Sequence, residues 1–222
     1  MGTLYLVRHG QASFGSDNYD QLSDLGRRQS ERLGGWLAAK GLPFEAAWCG
    51  SLQRQRQTLD GICQGAGLQL PVTVWPGLNE YDSAAVIATV HPDALEKPDT
   101  PEKYRHHFRL LRDGLTQWMN GVVSPRGMPD YPTFVDGVWQ ALEQVRRNCS
   151  GNVLMVSSGG PIATVVGRVL GTAPETTIEL NMRIRNSAVT EFAFNPKRHM
   201  LLTYNTLPHL DDAQYQDWIT YA

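Results

Sequence analysis

Leu4-Tyr5-Leu6-Val7-Arg8-His9-Gly10 decides how the rest of the chain is read. Four apolar residues in a row, without polar alternation, are the mark of a strand buried on both faces, as in the parallel sheets of α/β proteins. In open sheets of that kind ligands bind just beyond the carboxyl ends of the strands, which is where Arg8 and His9 fall. A guanidinium offers a planar fork of donors suited to phosphate, and an imidazole is partly uncharged at neutral pH and can act as a nucleophile. Gly10 lets the backbone turn sharply. Arg-His-Gly by itself also fits the polar end of an ordinary strand, so the remaining sequence has to decide.

Downstream the chain alternates strand and helix. Gln11 to Gln21 is rich in Ser, Gly, Asp and Asn and reads as a loop, a place for a substrate-covering segment. Ser23 or Asp24 caps a helix carrying Leu25, Gln29, Leu33, Trp36 and Leu37 on one face, with Gly41 after its last lysine. Phe44 to Trp48 is a second strand, Ser51 to Ile62 a helix with Arg54 in its first turn, and Val72 to Trp75 a third strand running into Gly77-Leu78-Asn79-Glu80. The prolines between Tyr81 and Asp130 (Pro92, Pro98, Pro101, Pro125 and Pro129) break the alternation and suggest an inserted helical cap. Its main helix starts at Thr100-Pro101-Glu102 and runs to about Asn120. A helix from Thr133, a fourth strand at Asn152–Val156, a helix from Pro161 to Leu170 and a hairpin of Val189–Phe194 with Met200–Tyr204 complete the pattern. The expectation is one α/β domain over residues 1–222, a mostly parallel central sheet with helices on both faces and a cap at about 81–130.

Composition narrows the function. A formal charge of −2 and a pI near 6.3 give no global attraction to nucleic acid or to an anionic membrane. Cys49, Cys63 and Cys149 are odd in number, widely spaced and outside any zinc-type cluster, so buried thiols in a reducing compartment are expected and no metal or other cofactor is implied. With no signal-like or membrane-length apolar run, a cytoplasmic protein is expected. Walker-type and dinucleotide-type glycine loops are absent.

Arg8 with His9, Arg54, Glu80 and the turn at Ser158 thus stand at the carboxyl ends of four strands. The motifs around them, Leu-Val-Arg-His-Gly (6–10), Leu-Ser-Asp-Leu-Gly-Arg-Arg-Gln (22–29), Ser-Leu-Gln-Arg-Gln-Arg-Gln-Thr (51–58), Leu-Asn-Glu (78–80) and Val-Ser-Ser-Gly-Gly (156–160), resemble the histidine phosphatase superfamily, whose fold is phosphoglycerate mutase-like. The resemblance covers nearly the whole chain. It implies that His9 attacks phosphorus to give a phosphohistidine, that Arg8 and Arg54 hold the phosphoryl oxygens, and that Glu80 protonates the leaving oxygen. Asp82 is an alternate acid or, more simply, a helix cap.

The pattern departs at Ser158, where the family carries a second histidine. Ser158, with the N–H groups of Gly159 and Gly160 at a helix start, would then complete the phosphate site with neutral donors. Gln11 stands where relatives often have Glu, and Gly15 where mutases often have Asn, which favours a phosphatase over a mutase. The implied partner is a small phosphate ester or a phosphoprotein; oligomeric state is open, a homodimer included. Two other readings stand beside this one. Ser158 suggests a protein that binds a phosphorylated ligand without turning it over. A serine-hydrolase elbow is disfavoured because Val156, two residues before the serine, is not small. His91, His106, His107 and His199 read as surface residues and His209 as structural, although a cap histidine or His209 folded over the site would replace the missing cation. Arg183 and Arg185 are exposed by default, with a remote substrate anion as the alternative.

Overall fold

The computed structural model describes residues 1–13, 20–93, 95–96 and 99–221. Gly15, Pro98 and most of the expected loop at 11–21 lie outside the described residues. Six strands form one sheet in the order β3-β2-β4-β1-β5-β6: β1 (Gly2–Arg8), β2 (Phe44–Cys49), β3 (Val72–Val74), β4 (Asn152–Ser157), β5 (Val189–Asn195) and β6 (Arg198–Thr206). The first four are parallel, β5 runs against β1, and β6 runs against β5. The architecture is therefore the expected α/β one, with a mostly parallel central sheet.

Strand β1 is central and buried on both sides, as its unbroken apolar run requires. Leu4 and Leu6 pack with Val153, Met155, Leu142 and Ile162, while Tyr5 and Val7 pack with Leu154, Val156, Leu33 and Leu59. Val153–Val156 belong to the neighbouring strand β4; Leu142 and Ile162 come from α5 (Tyr131–Asn148) and α6 (Gly159–Leu170) on one face, and Leu33 and Leu59 from α1 (Asp24–Ala39) and α2 (Gln53–Ala66) on the other. Burying one such aliphatic side chain contributes roughly 1.5–3 kcal/mol. Register sets the site: Arg8 pairs with Ser157 on β4, and Cys49 of β2 pairs with Val156, so three strands end side by side.

Local signals account for most helix boundaries. Ser23 caps α1 by accepting from Gly26 N–H, Gly67 and Gly171 stop α2 and α6 with φ of 63° and 68°, and Thr100 caps α4 (Pro101–Met119). Two helices are additional to the sequence reading. The first is α3 (Ser83–Ala88), capped by Asp82, whose carboxylate accepts from Ala84 and Ala85 N–H; the second is α7 (Pro174–Arg183). Helices α3, α4 and α7 share a cluster of Val86, Ile87, Leu111, Leu115, Trp118 and Ile178. Helix α2 starts later and ends later than expected, and α6 starts two residues earlier.

His199 corrects the surface assignment. It is 7% exposed, packed against Trp139 and Phe194, and neither ring nitrogen has a hydrogen-bond partner among the described residues. Burial therefore pushes its pKa down to about 4. His209 is structural as expected: buried, with its ring against the Ser187 hydroxyl at 2.9 Å. Among the described residues no helix is long and apolar enough to cross a membrane.

Candidate active site

The end of β1, the first turn of α2, the turn after β3 and helices α4 and α7 line a cavity of about 460 Å³. Arg8, His9, Arg54 and Glu80, separated by up to 72 positions in sequence, all line it. His9 is held by its backbone: its N–H donates to Ser157 O at 2.9 Å, and its carbonyl accepts from Ser187 N–H and the Asn186 amide. Its side chain is 3% exposed.

The ring's hydrogen bonds fix its tautomer. Nδ1 lies 2.7 Å from Gly10 O, and a carbonyl can only accept, so Nδ1 carries the proton. Nε2 accepts from Arg54 Nε–H at 3.2 Å, which requires a lone pair there. Burial, then the charges of Arg8 and Arg54, hold the pKa of His9 well below the usual histidine value, with Gly10 O opposing. The imidazole is accordingly neutral at pH 7, with its nucleophilic nitrogen directed at a guanidinium.

Arg54 is itself tightly placed. It is the second residue of α2, a helix whose N-cap, Leu52, supplies no side-chain cap. Asp20 provides one from a distance: its carboxylate accepts from Gln53 N–H at 2.9 Å and from Arg54 Nη1 at 2.8 Å. Sequence reasoning missed Asp20, because nothing near it in the chain marks a partner 34 residues away. Arg8 donates from Nη1 to Ile184 O, just past α7, at 2.5 Å and to Tyr221 O at 2.6 Å, so two segments distant in sequence fix its orientation.

Glu80 follows a turn pinned from two sides. Leu78 O accepts from Gln55 Nε2 at 2.9 Å and from Ser157 Oγ at 2.7 Å. The Glu80 carboxyl then receives Gly160 N–H at 3.1 and 3.2 Å. A side chain at 160 would put a Cβ 2.2 Å from Glu80 Oε1 and 2.5 Å from the Tyr81 ring, so glycine is required for this approach. Burial raises the pKa of Glu80, although its edge borders the cavity; Gly160 N–H, Arg54, Arg8 and Tyr81 N–H oppose that rise in decreasing order. A carboxyl so placed is suited to giving up and retaking a proton.

Ser158 and Gly159 do not line the cavity, although Gly159 lies beside Arg8, a Cβ built on it falling 3.8 Å from Arg8 Nε. Ser158 is fully buried, and its hydroxyl accepts from Gln55 Nε2 at 2.8 Å. At this turn Gly160 N–H is given to Glu80 and the Ser158 hydroxyl is engaged by Gln55. Arg183 and Arg185 also lie off the wall; Arg183 is 3.9 Å from Glu179, and Arg185 bonds to Asn205. Asp82 lines the cavity while capping α3. The cap histidine His107 lines it as well, an outcome no local pattern distinguished from a surface position.

Known proteins resemble this chain along most of its length. Residues 4–207 match the Histidine phosphatase superfamily (branch 1). A 2,3-bisphosphoglycerate-dependent phosphoglycerate mutase of Beijerinckia indica subsp. indica is 27% identical over 202 residues, 85% of this chain and 94% of that one. The phosphoserine phosphatase of Entamoeba histolytica, solved with 3-phosphoglyceric acid, superposes with a TM-score of 0.66 at 20% identity over 95% of this chain and 100% of the other. The alpha-ribazole phosphatase of Shigella flexneri gives 0.63 at 18% identity over 92% and 96%. The match takes in β1, the start of α2, the Glu80 turn and the β4–α6 junction together, and on that extent the chain belongs to the histidine phosphatase superfamily, branch 1.

Proposed function

We propose that this protein hydrolyses phosphate monoesters, of a small molecule or a phosphoprotein, through a phosphohistidine formed on His9 Nε2. The observation that carries the proposal is the tautomer: Nδ1–H on Gly10 O and an Nε2 lone pair facing Arg54 inside the cavity. In the first step Nε2 bonds to phosphorus, the ester P–O bond breaks, and the Glu80 carboxyl gives its proton to the leaving oxygen. In the second, water attacks phosphorus, Glu80 takes the water's proton, and the P–N bond breaks to return neutral His9. Arg54 turns its Nε–H from the imidazole to a phosphoryl oxygen as the P–N bond forms, so its charge meets the charge of the transition state. Arg8 supplies the second guanidinium. Because burial raises the pKa of Glu80 and lowers that of His9, a proton-bearing Glu80 can coexist with a neutral His9, and turnover is expected to be faster on the acid side of neutrality than on the alkaline side.

Partitioning tests the common intermediate. With glycerol added as a competing acceptor, phenyl, 4-nitrophenyl and benzyl phosphate are expected to give one and the same ratio of inorganic phosphate to glycerol phosphate. A ratio that changes with the leaving group would mean direct attack by water and would remove His9 from the bond-making role.

Ser158 supports a second reading, a protein that retains phosphorylated ligands without turning them over, because Gln55 rather than the cavity engages its hydroxyl. Ser158→His separates the two. Adding a cationic donor worth roughly 1.5–3 kcal/mol should raise kcat about ten- to a hundredfold in a working phosphatase. A variant that binds phosphate and stays inert favours the ligand-retaining protein.

A further inference from the structure

Helix α4, which forms the outer wall of the cavity, carries four cations and turns all of them elsewhere. Lys103 pairs with Glu96 and Asp99 at 2.8 and 2.9 Å, Arg105 with Glu102 at 2.7 Å, Arg112 with Glu179, and Arg109 meets His106 at 3.0 Å. The face it gives the cavity is His107, Phe108 and Leu111, opposite Met182 at the end of α7. Among the described residues, the one charged group on this outer wall is the Asp82 carboxylate, held in place by two N–H groups at the start of α3. Among the described residues, Arg8 and Arg54 are the sole Lys or Arg side chains lining the cavity, and both sit at the phosphate end.

We infer that the substrates are phosphate monoesters of uncharged, apolar or aromatic alcohols, selected by Phe108, Leu111 and Met182 and screened against a second anion by Asp82. This deepens the phosphatase reading and rests on it. The physical basis is differential cost. A second carboxylate or phosphate on the alcohol half would enter a wall that, among the described residues, offers no Lys or Arg to receive it and the Asp82 carboxylate to repel it, whereas an aromatic ring would bury its faces against Phe108 and Leu111. His107 does not repair the deficit: burial, followed by the neighbouring His106, lowers its pKa, so the ring facing the cavity is neutral at pH 7. Phe108 is 37% exposed, so its replacement by a long polar side chain is compatible with the fold.

Benzyl phosphate and 4-carboxybenzyl phosphate make the test, since the methylene keeps their leaving groups nearly equal in basicity and the second anion is the difference. The expected kcat/KM favours the benzyl ester by at least about tenfold, the scale of a buried ion left without its partner. Phe108→Arg should narrow or reverse that preference. Equal hydrolysis of the two esters by the native chain would overturn the substrate class while leaving the phosphatase reading intact. Should neither ester turn over, the phosphatase reading fails, and calorimetry with benzylphosphonate and 4-carboxybenzylphosphonate still decides the wall. Tighter binding of the uncharged-ring phosphonate supports the inference, and equal binding, the reverse order or no binding of either refutes it.

Discussion

His9→Gln is expected to lower kcat/KM by at least about 10⁴-fold, the scale on which removal of a covalent nucleophile acts. Glutamine is close to histidine in size and carries an amide that can still donate toward Gly10 O, so the pocket stays filled. The carboxamide has no lone pair basic enough to bond phosphorus. Phosphate binding should survive, because the anion is proposed to rest on Arg8 and Arg54, whose own supports, Ile184 O, Tyr221 O and Asp20, do not depend on the imidazole. The expected signature is loss of turnover with retained affinity for vanadate or phosphate and an unchanged thermal melt. A variant with near-native rates would show that some other group performs the chemistry.

Arg54→Lys is the second large effect, with an expected fall of about 10²–10³-fold, mainly in kcat, comparable to removal of one preorganised donor to transition-state charge. Charge is conserved in this change and geometry is not. The guanidinium acts through two edges at once: Nε–H on His9 Nε2 at 3.2 Å and Nη1–H on Asp20 at 2.8 Å. An ammonium is a single point of charge and cannot span both partners while facing the phosphoryl group. If it stays with Asp20, His9 loses its orienting donor; if it swings to His9, the carboxylate loses its side-chain partner at 54 while keeping the backbone N–H groups of residues 53 and 54. Steady-state kinetics on an aryl phosphate measures this directly, and a change confined to KM would mean that Arg54 does no more than collect substrate.

The parts of this site legible in sequence are those carried by continuous local signals. The apolar run of β1 announces both its burial and the place of His9, and the spacing of α2 puts Arg54 in its first turn. Glu80 was legible through Leu-Asn-Glu at the end of the third strand, and Asp82 as a cap proved correct. Helix α7 carried a usable signal in Pro174-Glu175, the same Pro-Glu start that marks α4, but its Thr-Thr-Ile run has poor helix propensity and masks it.

What could not be read are pairings across long stretches of chain. The Gly160 to Glu80 bond spans 80 positions and the Gln55 to Ser158 bond 103, and no local pattern marks either. Burial of His199 follows from the fold of the β5–β6 hairpin against Trp139, and neither partner is near it in a helical or strand period. The direction in which α4 turns its cations is likewise decided by where Glu96, Asp99 and Glu179 lie in space.

The central claim is that phosphorus becomes bonded to Nε2 of His9. Rapid quenching of the native enzyme with ³²P-labelled 4-nitrophenyl phosphate, followed by ³¹P NMR and peptide mapping, tests it most directly. The account predicts acid-labile, base-stable label on the peptide containing residue 9, bonded to Nε2, and none in His9→Gln. Label on another residue, on Nδ1, or no phosphoenzyme at any quench time during active turnover would contradict it.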